Sequence, residues 1–192
     1  MSKVKLKQQK RRSEIIELLI PMIQSVPFDE LSVTDMCVSA GISVGTFYHY
    51  FTKKSDILIG LLSLIDDDLE TGVFPLLTSG DEAENLRIFA HGWAEHVQTH
   101  GNERSKLISS VAPSNTDYNG QKRVSVAKLE EIFSRGQQKG QFTAEKTAPQ
   151  LTELFLLALR AVSTDWSRCD GAYSVTERMD EFISLFIRGL KP

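Results

Sequence analysis

Fifteen residues, Ala40–Lys54, constrain this chain more than any other stretch. They read Ala-Gly-Ile-Ser-Val-Gly-Thr-Phe-Tyr-His-Tyr-Phe-Thr-Lys-Lys. Gly41 accepts a positive φ without a Cβ clash, so it supplies a sharp turn. Ser43 follows where an N-cap belongs, its hydroxyl facing the free amides of the next turn. Phe47 and Phe51 stand four residues apart, share one helical face and anchor it to a core. Val44, Gly45, Thr46, Tyr48, His49 and Tyr50 are left on the remaining surface. Upstream, Ser32-Val-Thr-Asp35 is a capping signal that opens a second short helix through Ser39. Two short helices joined through Ala40-Gly41-Ile42 make a helix-turn-helix.

The outward surface of the second helix is small, flat near Gly45 and rich in hydroxyl and imidazole groups. It suits a helix laid into the DNA major groove, where such groups meet phosphates and base edges. Charge agrees in distribution, not in total. The net charge is −3, but residues 1–54 carry +3 and residues 55–192 carry −6. The excess lies in Lys3, Lys5, Lys7, Lys10, Arg11, Arg12, Lys53 and Lys54. A local positive footprint on an acidic body fits a two-domain DNA binder.

From about Arg12 to Leu62 the sequence resembles the TetR family of bacterial transcriptional regulators. The resemblance rests on Leu31-Ser-Val-Thr-Asp-Met36, Ala40-Gly-Ile-Ser43, Gly45-Thr-Phe-Tyr48, Tyr50-Phe51 and Lys54; beyond Leu62 only length and helical pattern carry it. It implies that Thr34, Val44, Gly45, Thr46 and His49 approach base edges. It likewise implies that Ser32, Ser43, Tyr48, Tyr50 and Lys54 clamp phosphates. The recognition helix has no Arg, so bidentate reading of guanine by an Arg there is not available. Pro21 and Pro27 depart from the family pattern: the first is expected to kink helix 1, the second to leave Val26 extended.

The rest reads as helices, since no segment alternates with period two. A basic arm over residues 1–9 is expected before helix 1 at Gln9–Gln24. Helix 4 is expected from Lys53 or Lys54 to about Thr71, capped by Thr52. Further helices are expected at Asp81–His100, Glu103–Val111, Lys122–Lys139, Ala148–Cys169 and Val175–Gly189, with a polar loop over 113–120. The fold class is therefore all-α with about nine helices. A helix-turn-helix domain over residues 1–53 precedes a larger helical domain over 54–192, with helix 4 as linker. The last two helices, 148–169 and 175–189, are apolar on more than one face. Together with the resemblance, this implies a homodimer built as a four-helix bundle, as a palindromic site requires.

The resemblance further implies a small-molecule effector, of unread identity, bound in the second domain; Phe89, Trp93, His96, Arg104, Phe133 and Phe155 are the candidate lining residues. His96 and His100 share a face at i, i+4, a spacing that can hold a metal, but with no His-Glu-x-x-His pattern they read as ordinary histidines. No metal and no cofactor is expected. Cys37 and Cys169 lack metal-type spacing, and Cys37 reads as a core residue. No phosphate-cradling loop, nucleophile elbow or carboxylate pair is seen, so an enzyme is not expected. The longest apolar run, Ile57–Ile65, is too short to span a bilayer and no signal peptide is seen, which places the chain in the cytoplasm without a membrane partner. The expected function is a sequence-specific repressor released from a palindromic DNA operator by the effector. The alternative is a co-activator or adaptor of the same fold acting through protein contacts without DNA binding.

Overall fold

The computed structural model describes residues 3–110, 116 and 120–192. Among them the ordered elements are helical, and they divide into two compact units. The first holds Met1–Leu64, the second Ile65–Ser110 and Lys122–Pro192. The polar loop expected over 113–120 lies outside the described residues except for Thr116 and Gly120.

In the first unit, α1 (Lys3–Ser25) begins six residues earlier than expected. Its extra turns, Lys-Val-Lys-Leu-Lys-Gln, hold no breaker, and Lys, Leu and Gln are good helix formers. Pro21 sits inside α1 on its exposed side, and the helix runs on past it. Ser25 Oγ donates to Pro21 O and Met22 O, both at 3.0 Å, and so occupies carbonyls at the helix end. A 3-10 turn, Phe28–Glu30, leads into α2 (Val33–Ala40) and α3 (Val44–Tyr50). α4 (Asp56–Asp68) starts two or three residues later than expected. Its opening is held by Asp56, not Thr52. Asp56 Oδ2 accepts from the amides of Thr52 (2.8 Å) and Lys53 (3.1 Å). Ile15, Ile16, Leu19, Met36, Phe47, Phe51, Ile57 and Leu61 form the buried core of this unit.

The first unit runs past the expected division at residue 53, because the start of α4 belongs to this core. Arg12 Nη2 donates to Asp56 O at 2.9 Å. A Cβ on Gly60 would stand 2.2 Å from Ile16 Cδ1, so a side chain at 60 fits only if Ile16 shifts.

After Asp68 the winding changes to a π turn, Leu69–Val73, and then to a 3-10 turn, Phe74–Leu76. The second unit is built on α5 (Glu82–Ser109), α6 (Val124–Gln138), α7 (Ala148–Arg168) and α8 (Val175–Arg188). Gly101, at φ 82° and ψ 170°, interrupts α5, so the two helices expected there are present with the break between them. The apolar stripes read from period 3.6 are the ones that pack. Phe155 meets Phe133 at 5.8 Å and Phe89 at 6.4 Å between ring centroids. Trp93 Nε1 donates to Ser163 Oγ at 3.1 Å. One ion pair and one further ion-paired carboxylate are buried with this core. Arg123 Nε and Nη2 donate to Asp66 Oδ2 (2.8 Å) and Oδ1 (2.7 Å). Glu82 accepts from Arg135, Lys139 and Asn85. Burial pushes its carboxyl up, but those donors outweigh it and hold the pKa at about 2.

Candidate nucleic-acid interface and effector unit

Local rules assemble the head. Asp35 N donates to Ser32 Oγ (3.1 Å) and Ser32 N to Asp35 Oδ2 (3.2 Å), closing a capping box at α2. The Ser32 hydroxyl, which donates to Asp35 Oδ2 at 2.5 Å, and then the Ser32 amide lower the Asp35 carboxyl pKa. Gly41 takes the left-handed conformation, φ 63° and ψ 35°. The chain reverses there, and Ile42 N reaches Cys37 O at 3.0 Å. Ser43 Oγ accepts from Thr46 N at 3.0 Å and caps α3.

Two phenylalanines set which way α3 faces. Phe47 and Phe51 are fully buried, their rings 5.1 Å apart. The Arg12 guanidinium lies 5.0 Å over the Phe51 ring and holds it from behind. With those rings inward, Val44, Gly45, Tyr48 and His49 are exposed, as are Ser32, Thr34 and Ser43; Thr46 and Tyr50 are half-buried. Tyr48 keeps 55% of its surface in solvent, and Val38 on α2 is 78% exposed beside this face. Val38 is a position that the helical pattern alone does not single out.

Lys54 makes contacts that the sequence reading does not include. Its Nζ donates to three carbonyls of its own chain: Phe28 (2.9 Å), Asp29 (3.2 Å) and Leu31 (3.0 Å). It also lies 4.8 Å over the Phe28 ring. An ammonium has three protons, and here each has an acceptor. The side chain fastens the end of the 3-10 turn that precedes α2.

In the second unit the six candidate lining residues are all buried. Phe89, Phe133 and Phe155 fill the core against one another. His96 Nδ1 lies 2.7 Å from Asp68 Oδ2, a partner from α4 that sequence spacing does not bring near. Burial, then the neighbouring His100 and Arg104 charges, push the His96 pKa down to about 4 against the pull of Asp68, so its ring is neutral at neutral pH. A surface cleft of about 420 Å³ lies elsewhere, lined by Val73, Leu76, Ile88, His91, Glu95 and Asp180 among others. None of the six expected residues lines it.

On the face of α7 and α8 away from the core, Leu154, Leu157, Phe182 and Leu185 are 40 to 64% exposed. No helix among the described residues is long and apolar enough to cross a membrane.

Family models match both units. One described as bacterial regulatory proteins, tetR family, covers residues 15–61. Another, the tetracyclin repressor-like C-terminal domain, covers residues 79–190 and thus more than half of the chain. The chain belongs to the TetR family. A nucleoid occlusion factor SlmA from Idiomarina loihiensis is 23% identical over 128 residues, which span 67% of this chain and 63% of that protein. Regulator FadR from Bacillus subtilis, solved with stearoyl-CoA, superposes with a TM-score of 0.72 at 17% identity, covering 92% of this chain and 98% of FadR. AibR, solved with isovaleryl coenzyme A and operator DNA, gives 0.62 at 18% identity over 91% and 97%. This TetR-family chain thus shares its helical order with ligand-binding regulators. Residues 31–54, where the sequence resemblance is densest, lie inside the first matched region.

Proposed function

We propose that this TetR-family chain is a homodimeric repressor whose α3 enters the DNA major groove and whose second unit takes up an effector that releases the operator. The observation that carries this is the outward face of α3: Val44, Gly45, Thr46, Tyr48 and His49 face away from the buried Phe47 and Phe51. Val44 meets a thymine methyl, while Thr46 and His49 hydrogen-bond base edges or phosphates. Thr34 joins them at base edges, and Ser32, Ser43, Tyr48 and Tyr50 hold phosphates. Lys54 acts one step back, by holding the turn before α2. The exposed Leu154, Leu157, Phe182 and Leu185 support dimerisation through α7 and α8, since a contiguous apolar face of this kind is a mark of an interface.

Effector action is a population shift between two conformers with different spacing of the two heads. FadR and AibR, of the same fold, hold stearoyl-CoA and isovaleryl-CoA, so acyl-CoA thioesters are the first effector class to try.

The test is in vitro selection of DNA by the full chain, followed by fluorescence anisotropy on the enriched sequence. A palindrome is expected, and Tyr48→Ala is expected to weaken its binding by roughly 5–100-fold. Failure to enrich any sequence, or wild-type affinity in Tyr48→Ala, would overturn the reading. Addition of acyl-CoAs of graded chain length then tests release.

A further inference from the structure

Three potential metal ligands meet in the second unit where the sequence shows only two. His96 and His100 lie one turn apart on α5, just before the Gly101 break. Asp68, the last residue of α4, comes up to them. One ligand atom from each of the three lies within 4.8 Å of the others. Asp68 Oδ2 is the common point, 2.7 Å from His96 Nδ1 and 3.9 Å from His100 Nε2. Ligand atoms around a first-row ion, each about 2.1 Å from the metal, are separated by about 3.0–3.4 Å. The two separations bracket that range.

The surroundings prepare both rings. His100 Nδ1 lies 2.9 Å from His96 O and donates to it, which turns the lone pair of His100 Nε2 toward Asp68. Such an outer hydrogen bond is what orients a ligating histidine. His96 Nδ1 faces Asp68 Oδ2 directly. The chain also leaves regular helix on both sides of the cluster, in the π turn after Asp68 and at Gly101 after His100. Irregular turns of this type gather at functional positions.

We propose that Asp68, His96 and His100 bind one divalent first-row transition-metal ion per chain, with a further coordination position open to water or a ligand. Two imidazoles and one carboxylate suit Zn²⁺, Ni²⁺ or Co²⁺ better than Mg²⁺ or Ca²⁺. The bound ion ties the end of α4 to α5. The site does not depend on the DNA-binding reading, and either stands if the other fails.

The test uses the full-length chain without an affinity tag, stripped with EDTA and dialysed. Zn²⁺ is titrated by calorimetry with a competing chromophoric chelator, and Co²⁺ by visible absorption. One Zn²⁺ per chain is expected, with a Co²⁺ d–d band and a raised Tm. His100→Ala and Asp68→Asn, both at partly exposed side chains, should keep the helical circular dichroism. They should each lower Zn²⁺ affinity by more than the roughly 10–100-fold that loss of an outer-sphere partner costs. His91→Ala, at the surface cleft, should bind as wild type. Absence of saturable binding, unchanged affinity in His100→Ala, or loss of binding in His91→Ala would each overturn the proposal.

Discussion

Replacing Lys54 with Met separates two roles that look alike in a list of basic residues. If Lys54 grips a DNA phosphate, its loss costs affinity and salt dependence. If it fastens the turn before α2, its loss costs stability. Its Nζ makes two half-buried bonds, to Phe28 O and Leu31 O, and one exposed bond to Asp29 O. Hydrogen bonds to a charged donor contribute about 1.5–3 kcal/mol each when buried, and solvent reduces that here. Contact with the Phe28 ring adds roughly 0.5–1 kcal/mol. A total near 3 kcal/mol is reasonable, and Met keeps the apolar stem in place. For a chain of this size that lowers Tm by about 6–12 °C. Circular dichroism is the appropriate probe, because both tryptophans, Trp93 and Trp166, lie in the second unit and do not report on the first. The slope of log K against log[salt] is then measured on the selected operator. Each phosphate contact contributes about −0.9, so loss of two Lys54 contacts from a dimer would flatten the slope by about 1.8. The slope is expected to stay as in wild type. An unchanged Tm together with a flattened slope would refute the argument.

Other expectations follow from the same contacts. Asp66→Ala leaves the buried Arg123 without its carboxylate beside Arg160, whose pKa is lowered by burial and by Arg123; a loss of about 3–5 kcal/mol is expected in urea unfolding, and Asp66→Leu with Arg123→Met should recover most of it. The depressed Glu82 pKa means that the folded state binds fewer protons than the unfolded chain. That stability is complete above the unfolded value near 4.5 and is lost as pH falls toward 2. The shift corresponds to about 3 kcal/mol, and Glu82→Gln should lose stability at pH 7 while weakening the acid dependence measured below pH 4.5. Leu157→Glu with Leu185→Glu places charge on the exposed apolar face; sedimentation velocity should find a monomer, and a persisting dimer would move the interface elsewhere. Gly136→Ala drives a Cβ to 2.1 Å from Phe142 Cδ2 and should cost about 1–3 kcal/mol by overpacking.

The sequence by itself determined what depends on neighbours within a turn or two. The Ser32–Asp35 box, the Gly41 reversal, the Ser43 cap and the inward Phe47 and Phe51 are local, and a short-range rule finds each of them. The apolar stripes of α5 to α8 were legible for the same reason, because period 3.6 is carried along the chain itself. Tertiary structure decided whatever joins distant segments. Spacing in α5 pairs His96 with His100, but only the fold brings Asp68 to them across 28 residues of chain. The sequence reads Lys54 as a phosphate ligand, and only the fold brings its Nζ to carbonyls 23 to 26 residues away. Phe89, Phe133 and Phe155 read equally well as pocket wall or as core. Only the fold shows that Phe155 meets both other rings, because apolar character is a property of a residue and a cavity is a property of how residues meet.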